Sequence, residues 1–165
     1  MSPNRKINLR VWLKIPDAEA ATVKNTLVRR LGYKNILADV KKERLFSIEI
    51  DSGDPEELAK SFAKELVNEN KESYKALIDE LLFEDEYVPV KVALHIEDGE
   101  AISVRERLRS RLGFGNVVDV KKATIWKLYF DTLRPEAEVA AREIAERLLI
   151  NPHKDSYEIL SRPII

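Results

Sequence analysis

Apolar and polar residues alternate along the opening segment: Ile7, Leu9, Val11, Leu13 and Ile15 are separated by Asn8, Arg10, Trp12 and Lys14. A period of two over nine residues predicts a strand with one buried face. The period then lengthens. Ala20, Val23, Leu27 and Leu31 form a helical stripe, with Asp17 placed to cap its start and Gly32 to stop it. Two further strands are expected near residues 36–43 and 45–51, around a charged turn at Lys41-Lys42. A second helix is expected from Pro55, behind the cap Asp54, because proline fits the first helical turn. Its apolar face is Leu58, Phe62 and Leu66.

The same pattern then returns. Val11–Tyr33 written over Val92–Phe114 gives eleven identities: Val11/Val92, Leu13/Leu94, Ile15/Ile96, Asp17/Asp98, Glu19/Glu100, Ala20/Ala101, Val23/Val104, Leu27/Leu108, Arg30/Arg111, Leu31/Leu112 and Gly32/Gly113. Ordinary composition would give about one or two by chance. Asp39-Val40-Lys41-Lys42 meets Asp119-Val120-Lys121-Lys122, Pro55-Glu56 meets Pro135-Glu136, and Ser73-Tyr74 meets Ser156-Tyr157. The chain therefore reads as two tandem repeats, residues 1–86 and 87–165, joined at the acidic stretch Glu84-Asp85-Glu86-Tyr87. In the second repeat, strands are expected near residues 117–123 and 125–131, a helix from Pro135 to Asn151-Pro152, and a closing strand at 155–160. In the first, Tyr74, Leu77, Ile78, Leu81 and Leu82 keep helical spacing, which favours a helix over a strand for residues 71–83.

The fold class that follows is α+β: two βαββα(β) units with antiparallel sheets covered by helices, packed as a pseudo-twofold dimer. Apolar residues fall on both sides of the third strand, with Trp126, Leu128 and Phe130 on one and Ile125 and Tyr129 on the other. The half-sheets are thus expected to pack on or extend each other.

Composition narrows the chemistry. The 165 residues include no cysteine and two histidines, which excludes disulfides, a thiolate centre and a histidine-rich metal site. Lys+Arg 28 against Asp+Glu 29 leaves a net charge of −1, so no basic excess points to nucleic acid. No apolar run has the roughly 20 residues of a membrane span, and the start of the chain has no signal-type stretch. A cytoplasmic protein is expected.

No catalytic, cofactor-binding or metal-binding constellation has specific spacing. Gly113-Phe114-Gly115 follows a helix and lacks a third glycine, so it reads as a helix stop and turn, not a phosphate loop. His95 occupies the position of Lys14 and is expected to face solvent; His153 sits in a turn. Arg105, Arg107, Arg109 and Arg111 spread around a helix among Glu100 and Glu106, the pattern of a solvated face, with an acidic protein partner as the functional alternative.

The second repeat resembles the PurS family, the small subunit of phosphoribosylformylglycinamidine synthase. The carrying residues are Val90-Lys91-Val92-Ala93-Leu94, Leu112-Gly113-Phe114, Asn116-Val117-Val118-Asp119-Val120, and Leu148-Leu149-Ile150-Asn151-Pro152 followed by Asp155-Ser156-Tyr157-Glu158-Ile159. The first repeat keeps Leu31-Gly32-Tyr33 and Asp39-Val40, with Glu69-Asn70 read in place of Asn-Pro. The resemblance implies a non-catalytic accessory subunit in purine biosynthesis. It would bridge a glutaminase subunit and a synthetase subunit that uses ATP and magnesium. Family members are normally homodimers, so a tandem chain looks like such a dimer made covalent, open to further self-association through its sheet edges. Asn151, Pro152, Tyr157, Lys121 and Lys122 are the candidate partner-interface residues. The competing reading is a duplicated α+β regulatory module that holds a small ligand between its repeats.

Overall fold

The computed structural model describes residues 3–160. In chain order the elements are β1 (Arg5–Leu13), α1 (Ala18–Arg29), β2 (Leu37–Ile50), α2 (Pro55–Leu66), β3 (Glu72–Ile78), β4 (Val88–Leu94), α3 (Gly99–Glu106), β5 (Val117–Phe130), α4 (Arg134–Ile144) and β6 (Asp155–Ile159). Helices α3 and α4 each run on into a π-helical turn, Arg107–Arg111 and Ala145–Leu149. The strand order is β3-β1-β2-β5-β4-β6. The expected α+β class and its recurrence in two repeats are both present.

The helix boundaries fall where the caps were read. Asp17 accepts from the Glu19 and Ala20 amides at 2.9 and 3.2 Å, and Asp98 does the same for Glu100 and Ala101 at 3.0 and 3.2 Å. These bonds satisfy donors that the first helical turn leaves open. Gly32 and Gly113 follow the helices at φ 87 and 76, where a side chain would be strained.

Two expectations need correction. The turn at Lys41-Lys42 does not exist: residues 37–50 form one uninterrupted strand, and so do residues 117–130. No glycine, proline or asparagine stands there to reverse the chain, and the charges that suggested a turn find partners from mid-strand. Lys42 bonds Glu19 at 2.6 Å, Glu43 bonds Lys127 at 3.0 Å and Arg44 bonds Glu72 at 2.6 Å. The helix favoured for residues 71–83 is also absent, and β3 occupies Glu72–Ile78. It pairs antiparallel with β1, Ile7 opposite Ile78 and Val11 opposite Tyr74. Tyr74, Ala76 and Ile78 thereby reach the core, a period of two that the helical spacing of Tyr74, Leu77 and Leu81 had masked.

The chain forms two compact units, each drawing on both repeats. The first comprises Met1–Lys14, Arg44–Leu82 and Glu97–Ala123. In it β1 and β2 set Ile7 opposite Ile48 and Leu9 opposite Phe46, and this apolar face buries Phe62 and Ala63 of α2 and Leu108 beyond α3. Phe62 meets Phe114 edge to face at 5.1 Å. The second unit comprises Ile15–Glu43, Phe83–Ile96 and Thr124–Ile165. Here Val88 stands opposite Leu128 and Val90 opposite Trp126, and the face is covered by Ala20 and Leu27 of α1 and Ala137, Ala141 and Ile144 of α4. The first helix of each repeat is thus packed in the unit that holds the other repeat's second helix. Strands β2 and β5 each contribute to both units.

Candidate partner-binding residues

Asn151 and Pro152 lie in the connection that leads from α4 to β6, and Tyr157 in β6 itself, all within the second unit. The Asn151 side chain accepts from the His153 amide at 3.0 Å. Its own amide donates to Asp155 at 2.8 Å, and its carbonyl accepts from the amides of Lys154 and Asp155 at 2.9 and 2.7 Å. Asparagine suits this role because its short side chain imitates a backbone turn. Pro152 is exposed beside it. The Tyr157 hydroxyl donates to Glu146 at 2.6 Å; that bond to a carboxylate, then burial, raises its pKa above the ordinary tyrosine value.

The first unit contains the same turn. The Asn70 amide donates to the Asn68 side chain at 3.2 Å, the Asn68 amide to Glu72 at 2.9 Å, and the Asn68 carbonyl accepts from Lys71 and Glu72. Asn68-Glu69 is therefore the counterpart of Asn151-Pro152, which corrects the reading of Glu69-Asn70 at that place. The asparagine is kept and only the proline differs. The match extends to β1 and β4: the Lys14 amide bonds the Lys71 carbonyl as the His95 amide bonds that of Lys154.

Lys121 and Lys122 lie in the first unit, in the middle of β5. Lys121 is exposed. Lys122 bonds Glu100, and this hydrogen bond holds the Glu100 carboxyl below its ordinary range. In the second unit Lys41 stands over the Tyr129 ring at 5.3 Å, and Lys42 over Trp126 at 5.9 Å. His95 and His153 are exposed, as expected. Of the arginine series, Arg105 meets Asp119 at 4.0 Å and Arg107 meets Glu65 at 3.4 Å, while Arg109 and Arg111 are exposed. Among the described residues no three histidine, cysteine or acidic side chains gather as a metal centre.

Alternation alone concealed the most deeply buried polar groups. Asn8, Arg10 and Glu43 are 4%, 1% and 2% exposed. Asn8 and Arg10 occupy the polar slots of β1, on the side away from α2, and the signal was their place in a central strand. Asn8 donates to the Glu80 carbonyl at 2.7 Å and accepts from Ser47 at 2.7 Å; Arg10 donates to the Leu82 carbonyl at 3.0 Å. In the second unit Tyr129 packs against Tyr87 at 5.3 Å. Burial, reinforced by Glu86, Asp39, Glu43 and Glu84, pushes its pKa up to about 12. A cleft of about 130 Å³ opens nearby between residues 85–88 and the start of α4. The cation in its wall, Arg134, is committed to the Tyr87 carbonyl at 2.9 Å and to Glu138 at 3.3 Å.

A family model described as PurS, phosphoribosylformylglycinamidine (FGAM) synthase, matches the chain twice, at residues 6–80 and 87–162. No curated protein matches it. A crystal structure of an unknown protein from Galdieria sulphuraria aligns with 96% of this chain and 100% of its own, at 8% identity and a TM-score of 0.25, too remote to inform fold or function.

Proposed function

The chain belongs to the PurS family, and from that premise we propose that it is a non-catalytic bridging subunit of phosphoribosylformylglycinamidine synthase. Membership places it in purine biosynthesis. The observation that carries the reading further is the double match, which covers both repeats and breaks only at residues 81–86. One polypeptide thus supplies the two copies that separate subunits would have to assemble, and covalent linkage makes their pairing independent of concentration.

In this reading the chain transfers no group itself. It holds a glutaminase subunit against a synthetase subunit, so that ammonia released from glutamine passes directly to the activated formylglycinamide ribonucleotide. ATP and magnesium are used by the synthetase subunit, and this chain binds no cofactor. Of the candidate interface residues, Lys121, Asn151 and Pro152 are exposed and available to a partner. Asn151 also holds its turn, while Tyr157 acts through its bond to Glu146 and Lys122 through its ion pair with Glu100.

The test is reconstitution with the glutaminase and synthetase subunits from the same source. Glutamine-dependent ADP release should require the chain, while release driven by free ammonia should depend on it far less. Equal glutamine-dependent rates with and without the chain, and no complex on gel filtration, would refute the bridging role.

A further inference from the structure

The cleft of about 130 Å³ lies wholly within the second unit. Its floor is apolar: Val88 of β4, Leu128 of β5 and Ala137 of α4 are all buried. Its rim is acidic, with Asp85 and Glu86 both exposed there. Arg134 brings a positive charge to the wall, but that charge is met by Glu138 at 3.3 Å, and the guanidinium also donates to the Tyr87 carbonyl at 2.9 Å. The negative field reaches past the rim. Tyr87 packs against Tyr129 at 5.3 Å, and Glu86 is one of four carboxylates that reinforce burial in raising the Tyr129 pKa. Leu133, between Thr132 and Arg134 of the wall, is 73% exposed, more than any other large apolar side chain among the described residues.

Volume decides the class of occupant. Drug-sized ligands fill pockets of roughly 300–1,000 Å³. About 130 Å³ has room for one side chain. An apolar floor under an acidic rim suits an aliphatic stem that ends in a cation, which lysine and arginine have. We infer that this cleft is a socket for one lysine or arginine side chain of a partner protein, with Asp85 and Glu86 facing its charge and Leu133 packing beside it. This rests on the bridging role: the partner is one of the two subunits that the chain joins. The first repeat has no such socket. Asn4 and Arg5 stand where Asp85 and Glu86 stand in the repeat, Asp54 stands where Arg134 does, and Arg5 is itself paired with Asp79. A homodimer presents every surface twice, whereas this chain presents the acidic socket once and can thereby tell two partners apart.

Glu86→Lys tests this, because it reverses an exposed rim charge and leaves the floor intact. Native and variant chains are each titrated against the glutaminase subunit and, separately, the synthetase subunit from the same source, at two salt concentrations. Toward one subunit the variant should bind roughly tenfold more weakly or worse, mainly through slower association, and its affinity should fall less with salt than that of the native chain. Toward the other subunit the two chains should bind alike. Glu86→Gln should give a smaller loss toward the same subunit, and it replaces E86K should that variant fail to melt cooperatively. Leu133→Ser should weaken the same partner. Equal binding of native and variant chains to both subunits, or an equal loss toward both, would overturn the socket and leave the bridging role standing. Failure of the native chain to bind either subunit would instead remove the bridging role, and the socket with it.

Discussion

Tyr129 shows how a single side chain reports its surroundings. Its phenol is half-buried among four carboxylates, so the folded chain keeps it protonated to about pH 12, whereas the unfolded chain releases the proton near its ordinary value of 10. The folded pKa is the higher one. Its contribution to stability is therefore complete below pH 10 and is lost as the pH rises from 10 to about 12. Phenolate absorbance should show a late ionisation that Tyr129→Phe removes, and the same substitution should flatten the alkaline fall in melting temperature; an unchanged alkaline limb would show that another group controls it. Asn151 and Asn68 make the second test at this scale. Alanine at either position leaves one turn amide without its acceptor and should cost about 1 kcal/mol in chemical denaturation. The two losses should add, because the turns share no partner. Tyrosine and asparagine were visible in the sequence, but their roles were not. A motif shows that a residue type recurs, and only the hydrogen bonds show that it serves the turn.

Elements whose signal is local were legible. Asp17, Asp54 and Asp98 cap the helices read behind them, and Pro55 and Pro135 stand in the first turns of α2 and α4. Asp98→Ala should cost about 1 kcal/mol through the lost cap of α3. The two elements misread from sequence are strands whose pairing is distant. β2 continues through Lys41–Arg44 because Glu19, Lys127 and Glu72 neutralise it from other segments. Hydrogen exchange tests this directly: amides within residues 41–44 should be protected like the rest of β2, and fast exchange confined to them would restore the turn. β3 is a strand because β1 lies beside it with open backbone groups, and a ladder that satisfies both outweighs a helical spacing of leucines.

At the scale of the whole molecule, repeat and compact unit are different things. The core of the first unit takes Leu108, Val117 and Val120 from the second repeat. Residues 1–86 alone would leave Ile7, Leu9 and Phe62 without those neighbours. Each repeat expressed singly is therefore expected to be unfolded or self-associated, as judged by circular dichroism and light scattering. A monomeric first repeat with a cooperative melt would contradict this. Within the full chain, Leu108→Ala should cost roughly 2–5 kcal/mol, since Leu108 is fully buried in the core of the first unit.

Period, caps and self-similarity are properties of neighbouring residues, and from them the sequence alone determined the α+β class, the duplication, the helix starts and the family. Burial of Arg10 and Glu43 and the unbroken strands depend on residues tens of positions apart. An alternating strand looks the same whether its polar side meets water or the carbonyls of Glu80 and Leu82. Tertiary structure decided between them, because a buried donor must find an acceptor and the chain that supplied one lay 72 residues away.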